Sequence, residues 1–329
     1  MLNKKVYLDN NLFSDKAKQA ALRDGYGEGL FEAGKKDPNV VALCADLKDS
    51  TRSNFFAKAF PNRFFEIGIA EQNMVAVAAG LAVSGKIPFV ASYATFSPGR
   101  AWEQIRTTVA YNDANVKIAG HHAGISVGPD GATHQAIEDI ATMRAIPNMT
   151  VIAPCDANEA KKATLAAAKF VGPMYLRFAR ENTPIMTTAR TPFKPGKAEI
   201  FYSSSRPQVA IIACGPLVHK ALVAAKELEK EKIKTIVVNS HTIKPLDSKT
   251  ILEVVEKTGA VVSVEEHQVI GGLGSAVAEL LAKEKPTPME FVGMQDVFGE
   301  SGEPEELLDK YKMSVEDIKE AVRKVKKRK

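Results

Sequence analysis

No apolar run in this 329-residue sequence is long enough to span a bilayer, and the opening Met1 to Asn10 lacks the apolar core of a signal peptide. Both absences point to a cytoplasmic protein that does not engage a membrane. Cysteine is scarce. Cys44, Cys155 and Cys214 are odd in number, widely spaced and set among apolar neighbours, which excludes a disulfide scaffold and predicts buried free thiols in a reducing compartment. Internal repeats and low-complexity segments are lacking too. Positive charge is in slight excess, at +5, but Arg323, Lys324, Lys326, Lys327, Arg328 and Lys329 supply six of those charges and leave the body at −1. No aromatic residues interleave with them, so the pattern predicts a solvated basic tail and no nucleic-acid partner.

The length suits two domains, and 45% hydrophobic residues are enough to give each a core. Short apolar runs alternate with helical patterns, the signature of α/β units around a mainly parallel sheet. In the first half, strands are predicted near Val40 to Cys44, Ile87 to Ser92, Val116 to Ala119, Thr150 to Ile152 and Met174 to Arg177. Helices are predicted near Lys16 to Lys35, Glu71 to Ser84, Arg100 to Asn112, Gln135 to Ala145 and Asp156 to Phe170. Periodicity fades from Arg180 to about Pro207, which reads as a linker. A second unit follows, with strands at Val209 to Ala213, Thr235 to Asn239, Ala260 to Val264 and Met289 to Val292. The expected fold class is α/β in two domains, 1–190 and 191–329, each a mainly parallel sheet flanked by helices.

Chemistry concentrates in the first domain. Glu71 stands between the strand-like Phe65 to Ala70 and the helix Val75 to Val83, which has almost no polar residue and reads as buried. A carboxyl desolvated at such a helix mouth is easily protonated, and it can then share a proton with a weakly basic ring nitrogen. The plainer alternative is a first-turn acid on the positive end of a helix dipole. Tyr93 and Phe96 follow the next strand, either as core packing or as flat walls for a ring. The loop Gly120 to His134 places His122 at a strand end, Asp130 in a glycine-flanked turn and His134 at the start of a helix, where α/β folds present ligand-binding groups.

Taken in order, these segments resemble the pyrimidine-binding half of transketolase, and the resemblance runs through nearly the whole chain. It implies thiamine diphosphate as cofactor and transfer of a two-carbon ketol unit from a ketose phosphate to an aldose phosphate, within pentose phosphate metabolism. Glu71 matches the glutamate that protonates the cofactor's pyrimidine, and Tyr93 and Phe96 match the aromatic wall. His122 and His134 match histidines that contact sugar hydroxyls and move their protons, and Asp130 matches the reader of the C2 hydroxyl. Arg23, Ser50 and Arg180 match the substrate-phosphate site. Asp46 fits either an Asx turn or an approach to the thiazolium. The family's third pocket aromatic is missing: Ser97-Pro98-Gly99-Arg100 stands there, closer in character to the related deoxyxylulose phosphate synthase, and leaves the identity of that wall open.

The Gly-Asp-Gly motif that holds the cofactor diphosphate through a metal does not occur in the sequence. The resemblance therefore implies a C-terminal transketolase subunit, residues 1–190 being the pyrimidine domain and 191–329 the C-terminal domain. A separate N-terminal subunit would hold Mg2+ or Ca2+ in an α2β2 assembly, with no metal ligands on this chain. The alternatives are a 2-oxo acid dehydrogenase E1 beta subunit, a deoxyxylulose phosphate synthase-like enzyme, and a non-catalytic regulatory or binding module. In the second domain, Gly271-Gly272-Leu273-Gly274 reads as a structural turn, since a bare Gly-x-Gly is weak evidence for nucleotide binding. His267 reads as a surface or interface histidine.

Overall fold

Five apolar runs of the first half, Val40–Cys44, Ile87–Tyr93, Lys117–His121, Thr150–Ile152 and Met174–Arg177, form parallel strands of one sheet in the computed structural model, which describes residues 1–329. They read as continuous apolar segments because helices cover both faces of the sheet. Leu22–Lys36 and Ala157–Lys169 lie on one face, in close contact with each other. Gly25 permits that contact: a Cβ there would stand 1.9 Å from the Ala157 carbonyl oxygen. The opposite face packs on Glu71–Val83 and Asp139–Ala145 and runs into one continuous core with the second half of the chain.

The sheet has seven strands, because Phe64–Glu66 adds to one edge in parallel and Thr242–Lys244 adds to the other antiparallel. The last of these comes from the second half. A five-stranded sheet follows the order Met289–Met294, Val261–Gln268, Val209–Ala213, Thr235–Asn239, Glu199–Ser203, parallel except for the final edge. The architecture is two α/β domains with mainly parallel sheets, as the alternation predicts.

Two expectations need correction. The presumed linker contains Asn182–Pro184, paired with Gln19–Ala21, and the edge strand Glu199–Ser203. Edge strands need little apolar periodicity, so sequence pattern alone misses them. The basic C-terminus is not a solvated tail either. Val315–Lys327 is a helix, capped by Ser314, that buries Ile318, Val322 and Val325 in the second core. Three of the six basic residues are paired: Arg323 with Glu231 and Glu316, Lys324 and Arg328 with Glu290. The three cysteines are buried and free. No helix is long and apolar enough to cross a membrane.

A buried ion pair of the first domain reaches the second through the Glu266 carbonyl. Arg177 Nε donates to Asp139 Oδ2 at 2.8 Å and Nη2 donates to the Glu266 carbonyl at 2.8 Å, while the Tyr175 hydroxyl also donates to Asp139. His267 is fully buried beside them, and its Nε2 accepts the Ile140 amide at 3.1 Å. Burial pushes its imidazole down to about 4, which keeps it neutral and able to accept. It is thus an interface histidine, one of the two expected placements. Removing one partner of a buried pair strands the other charge. Arg177→Met is expected to lower unfolding free energy by about 3–5 kcal/mol in urea titrations; a loss below about 1 kcal/mol, the range of exposed pairs, would show the pair to be dispensable.

Candidate active site

The parallel strands of the first sheet end side by side, and the residues just beyond those ends build the site. Gly68, at φ +75°, turns the chain from Phe64–Glu66 into the helix Glu71–Val83. The helix entrance has no side-chain cap, and Glu71, its first residue, is 4% exposed. Its partner is Arg100, whose Nη1 lies 3.2 Å from Glu71 Oε1. The rest of that helix is only half buried. Met74, Val75, Ala78 and Ala79 face the core, whereas Gln72, Asn73, Ala76, Val77, Gly80 and Val83 are exposed in this chain. The expectation of a buried helix is corrected accordingly, since nothing within the chain covers its second face.

Tyr93 ends one strand and pairs in register with His121 on the next, which puts His122 against it with ring centroids 4.0 Å apart. His122 takes a left-handed φ of +53° as the chain leaves the sheet. Phe96 stacks on Tyr93 at 5.8 Å, and the His134 ring meets the Phe96 edge at 5.3 Å. The Arg100 guanidinium covers Phe96 at 4.2 Å from the ring centroid. His134 does not open a helix as expected. It lies in a turn ahead of Asp139–Ala145, where its Nδ1 is 2.9 Å from the Thr133 hydroxyl and its carbonyl accepts from Thr95.

Arg23 approaches from the first turn of Leu22–Lys36. Its Nη1 lies 3.4 Å from His122 Nε2 and 3.3 Å from the Ser50 carbonyl. Arg180 donates to the Val127 carbonyl at 2.6 Å. Burial, then the charges of Arg23 and Arg180, push His122 down to about 3, so its ring is neutral at neutral pH. Arg23 is itself held below the usual arginine range by burial and by the nearby cations Arg52 and Arg180. Arg52 is paired with Asp24 and Arg180 lies near Glu181, whereas Arg23 has no carboxylate partner, and this gathering of cations suits an oxyanion. The His122 Nδ1 and Arg23 Nε atoms are buried without a partner.

Glu71, Tyr93, Phe96, His122, His134, Arg23, Ser50 and Arg180 are thereby linked through direct contacts or mutual fields. Asp130 and Asp46 stand apart. Asp130 is exposed, and its side chain bonds to nothing in the chain. Asp46 is exposed at φ +57°, its amide donates to Glu66 Oε1 at 2.7 Å, and no Asx turn forms there. Sequence reasoning missed Arg100. The signal was the Ser97-Pro98-Gly99-Arg100 segment, which stands where an aromatic was expected. The Gly271-Gly272 turn is structural as predicted, because the Leu273 and Gly274 amides that a phosphate would use are taken by the Glu265 carboxylate at 2.7 and 2.8 Å. A cavity of about 480 Å3 lies elsewhere, between the domains, lined by Ser126, His219 and Glu266 among others. The candidate site is an open face.

Comparison with known proteins gives this face a family. The model for the transketolase pyrimidine binding domain matches residues 18–186, and that for the transketolase C-terminal domain matches residues 196–318. A putative transketolase C-terminal section from Methanocaldococcus jannaschii is 48% identical over 301 residues, covering 90% of this chain and 93% of that protein. The 6-deoxy-6-sulfo-D-fructose transketolase subunit SqwH of a Clostridium species is 40% identical, covering 97% of this chain and 99% of that protein. Among solved structures, a split gene transketolase in the form of an inactive beta4 tetramer superposes with a TM-score of 0.87 at 48% identity, covering 93% of this chain and 98% of that one. With both of its domains matched, the chain belongs to the transketolase family.

Proposed function

We propose that this chain is the C-terminal subunit of a two-chain transketolase, with residues 1–190 as the pyrimidine domain and 191–329 as the C-terminal domain, working in the reducing cytoplasm where its thiols stay free. The observation that carries this reading is the contact path from Glu71 through Arg100 and Phe96 to Tyr93, His122 and Arg23 along one open edge of the sheet. A buried carboxylate next to flat aromatic faces fits an aminopyrimidine, so thiamine diphosphate is the cofactor that suits these residues. When bound, that group supplies the nucleophilic carbon for two-carbon transfer.

The chain's own residues divide the remaining work. Glu71 gives and takes a proton at the ring nitrogen, and Tyr93 and Phe96 hold the ring and exclude water. In neutral His122, Nε2 accepts from Arg23, so the unpartnered buried Nδ1 carries the ring proton and donates to a sugar hydroxyl, and His134 faces it across the aromatic pair. Arg23, Ser50 and Arg180 hold the substrate's terminal oxyanion, while exposed Asp130 is free to meet its C2 hydroxyl. Asp46 lies near the thiazolium side. A polypeptide with the Gly-Asp-Gly motif would hold the diphosphate and Mg2+ or Ca2+, and the uncovered small-residue face of Glu71–Val83 is where chains meet in an α2β2 assembly.

The substrate class is tested at Arg180. Its contact is about equally strong in ground and transition states, so Arg180→Ala is expected to raise KM for phosphorylated substrates about ten- to a hundred-fold with little change in kcat. Hydroxypyruvate, an unphosphorylated donor, should be far less affected. Equal losses on both donors would make Arg180 structural, and reactivity with pyruvate but not ketose phosphates would favour a 2-oxo acid dehydrogenase. A second reading rests on the clostridial relative: a 6-sulfo sugar presents a similar oxyanion to the same arginines, and kcat/KM for fructose 6-phosphate against 6-deoxy-6-sulfofructose decides between them.

A further inference from the structure

Arg100 has no place in the division of labour above. Its backbone is set by a tight turn in which Gly99 packs so closely that a Cβ would stand 2.0 Å from the Thr95 carbonyl oxygen, and the Arg100 amide donates to the Phe96 carbonyl at 2.8 Å. From there the side chain folds back. Its guanidinium lies 4.2 Å over the Phe96 ring and 3.2 Å from the Glu71 carboxylate, and the side chain is 52% exposed.

A guanidinium is flat and cationic, with N–H donors along its edge. Those are the features an aminopyrimidine ring presents when it is protonated by a carboxylic acid: a planar face for an aromatic wall and an N–H for the carboxylate. We propose that Arg100 is a built-in placeholder for the cofactor's pyrimidine, occupying Glu71 and Phe96 in the free subunit and swinging out to solvent when the ring binds. The proposal rests on the pyrimidine-site reading given above. Two physical consequences follow from the geometry. A buried Glu71 would be costly to leave unpaired in a subunit without cofactor, and Arg100 supplies the missing charge. In exchange it competes for the site, so apparent affinity for the ring falls by the fraction of molecules in which the arginine is withdrawn. Because half of the side chain already faces solvent, withdrawal leaves the core intact.

The test uses the full chain and the free pyrimidine half of the cofactor, 4-amino-5-hydroxymethyl-2-methylpyrimidine, titrated by ligand-detected NMR with thermal melts as a check on folding. Arg100→Gln is expected to bind the pyrimidine about ten-fold more tightly than wild type, corresponding to an arginine that occupies the site in roughly nine molecules of ten. Arg100→Lys keeps a charge within reach of Glu71 but has no flat face for Phe96, and should fall between the two. Arg106→Gln, an exposed arginine on the following turn, should match wild type and so excludes a general loss of positive charge as the cause. Glu71→Gln should abolish the tightening in the Arg100→Gln background. If Arg100→Gln binds as wild type does, or more weakly, while Glu71→Gln still destroys binding, the placeholder is wrong and the pyrimidine site stands. If no variant binds the pyrimidine at all, the site reading falls and takes the placeholder with it.

Discussion

In the assembled enzyme, Glu71→Gln is expected to lower turnover by about 10²- to 10⁴-fold, the usual contribution of a positioned acid or base. The substitution keeps shape and hydrogen-bonding capacity but cannot exchange a proton with a ring nitrogen. Its structural cost should be small. Losing a first-turn charge at a helix N-terminus costs about 0.3–1 kcal/mol, and the ion pair it breaks has its other partner, Arg100, half in solvent. Steady-state kinetics beside a thermal melt and a sizing column separate the two effects: assembly and melting should change little while kcat collapses. Near wild-type turnover would mean that Glu71 serves only the helix dipole.

The chain by itself is expected to be folded and to show no measurable two-carbon transfer, because the sequence lacks the Gly-Asp-Gly motif and its candidate site is an open face. Thiamine diphosphate with magnesium should bind only weakly. Turnover should appear on addition of a polypeptide bearing the motif, and the complex should elute larger than either chain. The exposed face of Glu71–Val83 gives a way to follow docking: amide exchange along that helix should slow on mixing. Efficient catalysis by the purified chain alone, with cofactor and metal present, would overturn the two-chain reading.

Much of the fold could be read locally. Central strands such as Val40–Cys44 and Met174–Arg177 are buried on both faces and therefore apolar throughout, a pattern visible without coordinates. The edge strands Glu199–Ser203 and Thr242–Lys244 carry no such pattern and escape a reading of the sequence, whereas Phe64–Glu66 overlaps the strand-like Phe65 to Ala70. The basic C-terminus misled for a related reason. Its lysines and arginines dominate the composition, yet Ile318, Val322 and Val325 recur at helical spacing beneath them and bury in the core.

Within the site, Glu71, Tyr93, Phe96, His122 and His134 are close to one another along the chain and follow successive strands, so their identity and spacing were decided by sequence alone. Each strand end delivers its residue to the same edge of a parallel sheet, which makes that grouping legible. Arg23, Ser50 and Arg180 are different. Nothing in their local sequence separates them from solvated surface residues, and only the strand order, with crossovers carrying Leu22–Lys36 and Arg180 back to His122, brings the two arginine charges and the Ser50 carbonyl together. Arg100 reaches Glu71 only because the turn after Tyr93 folds its side chain back over Phe96. Periodicity and composition record what each segment buries. They carry no record of which distant segments meet, and in this protein that was settled by sheet order and by the close packing of helices across it.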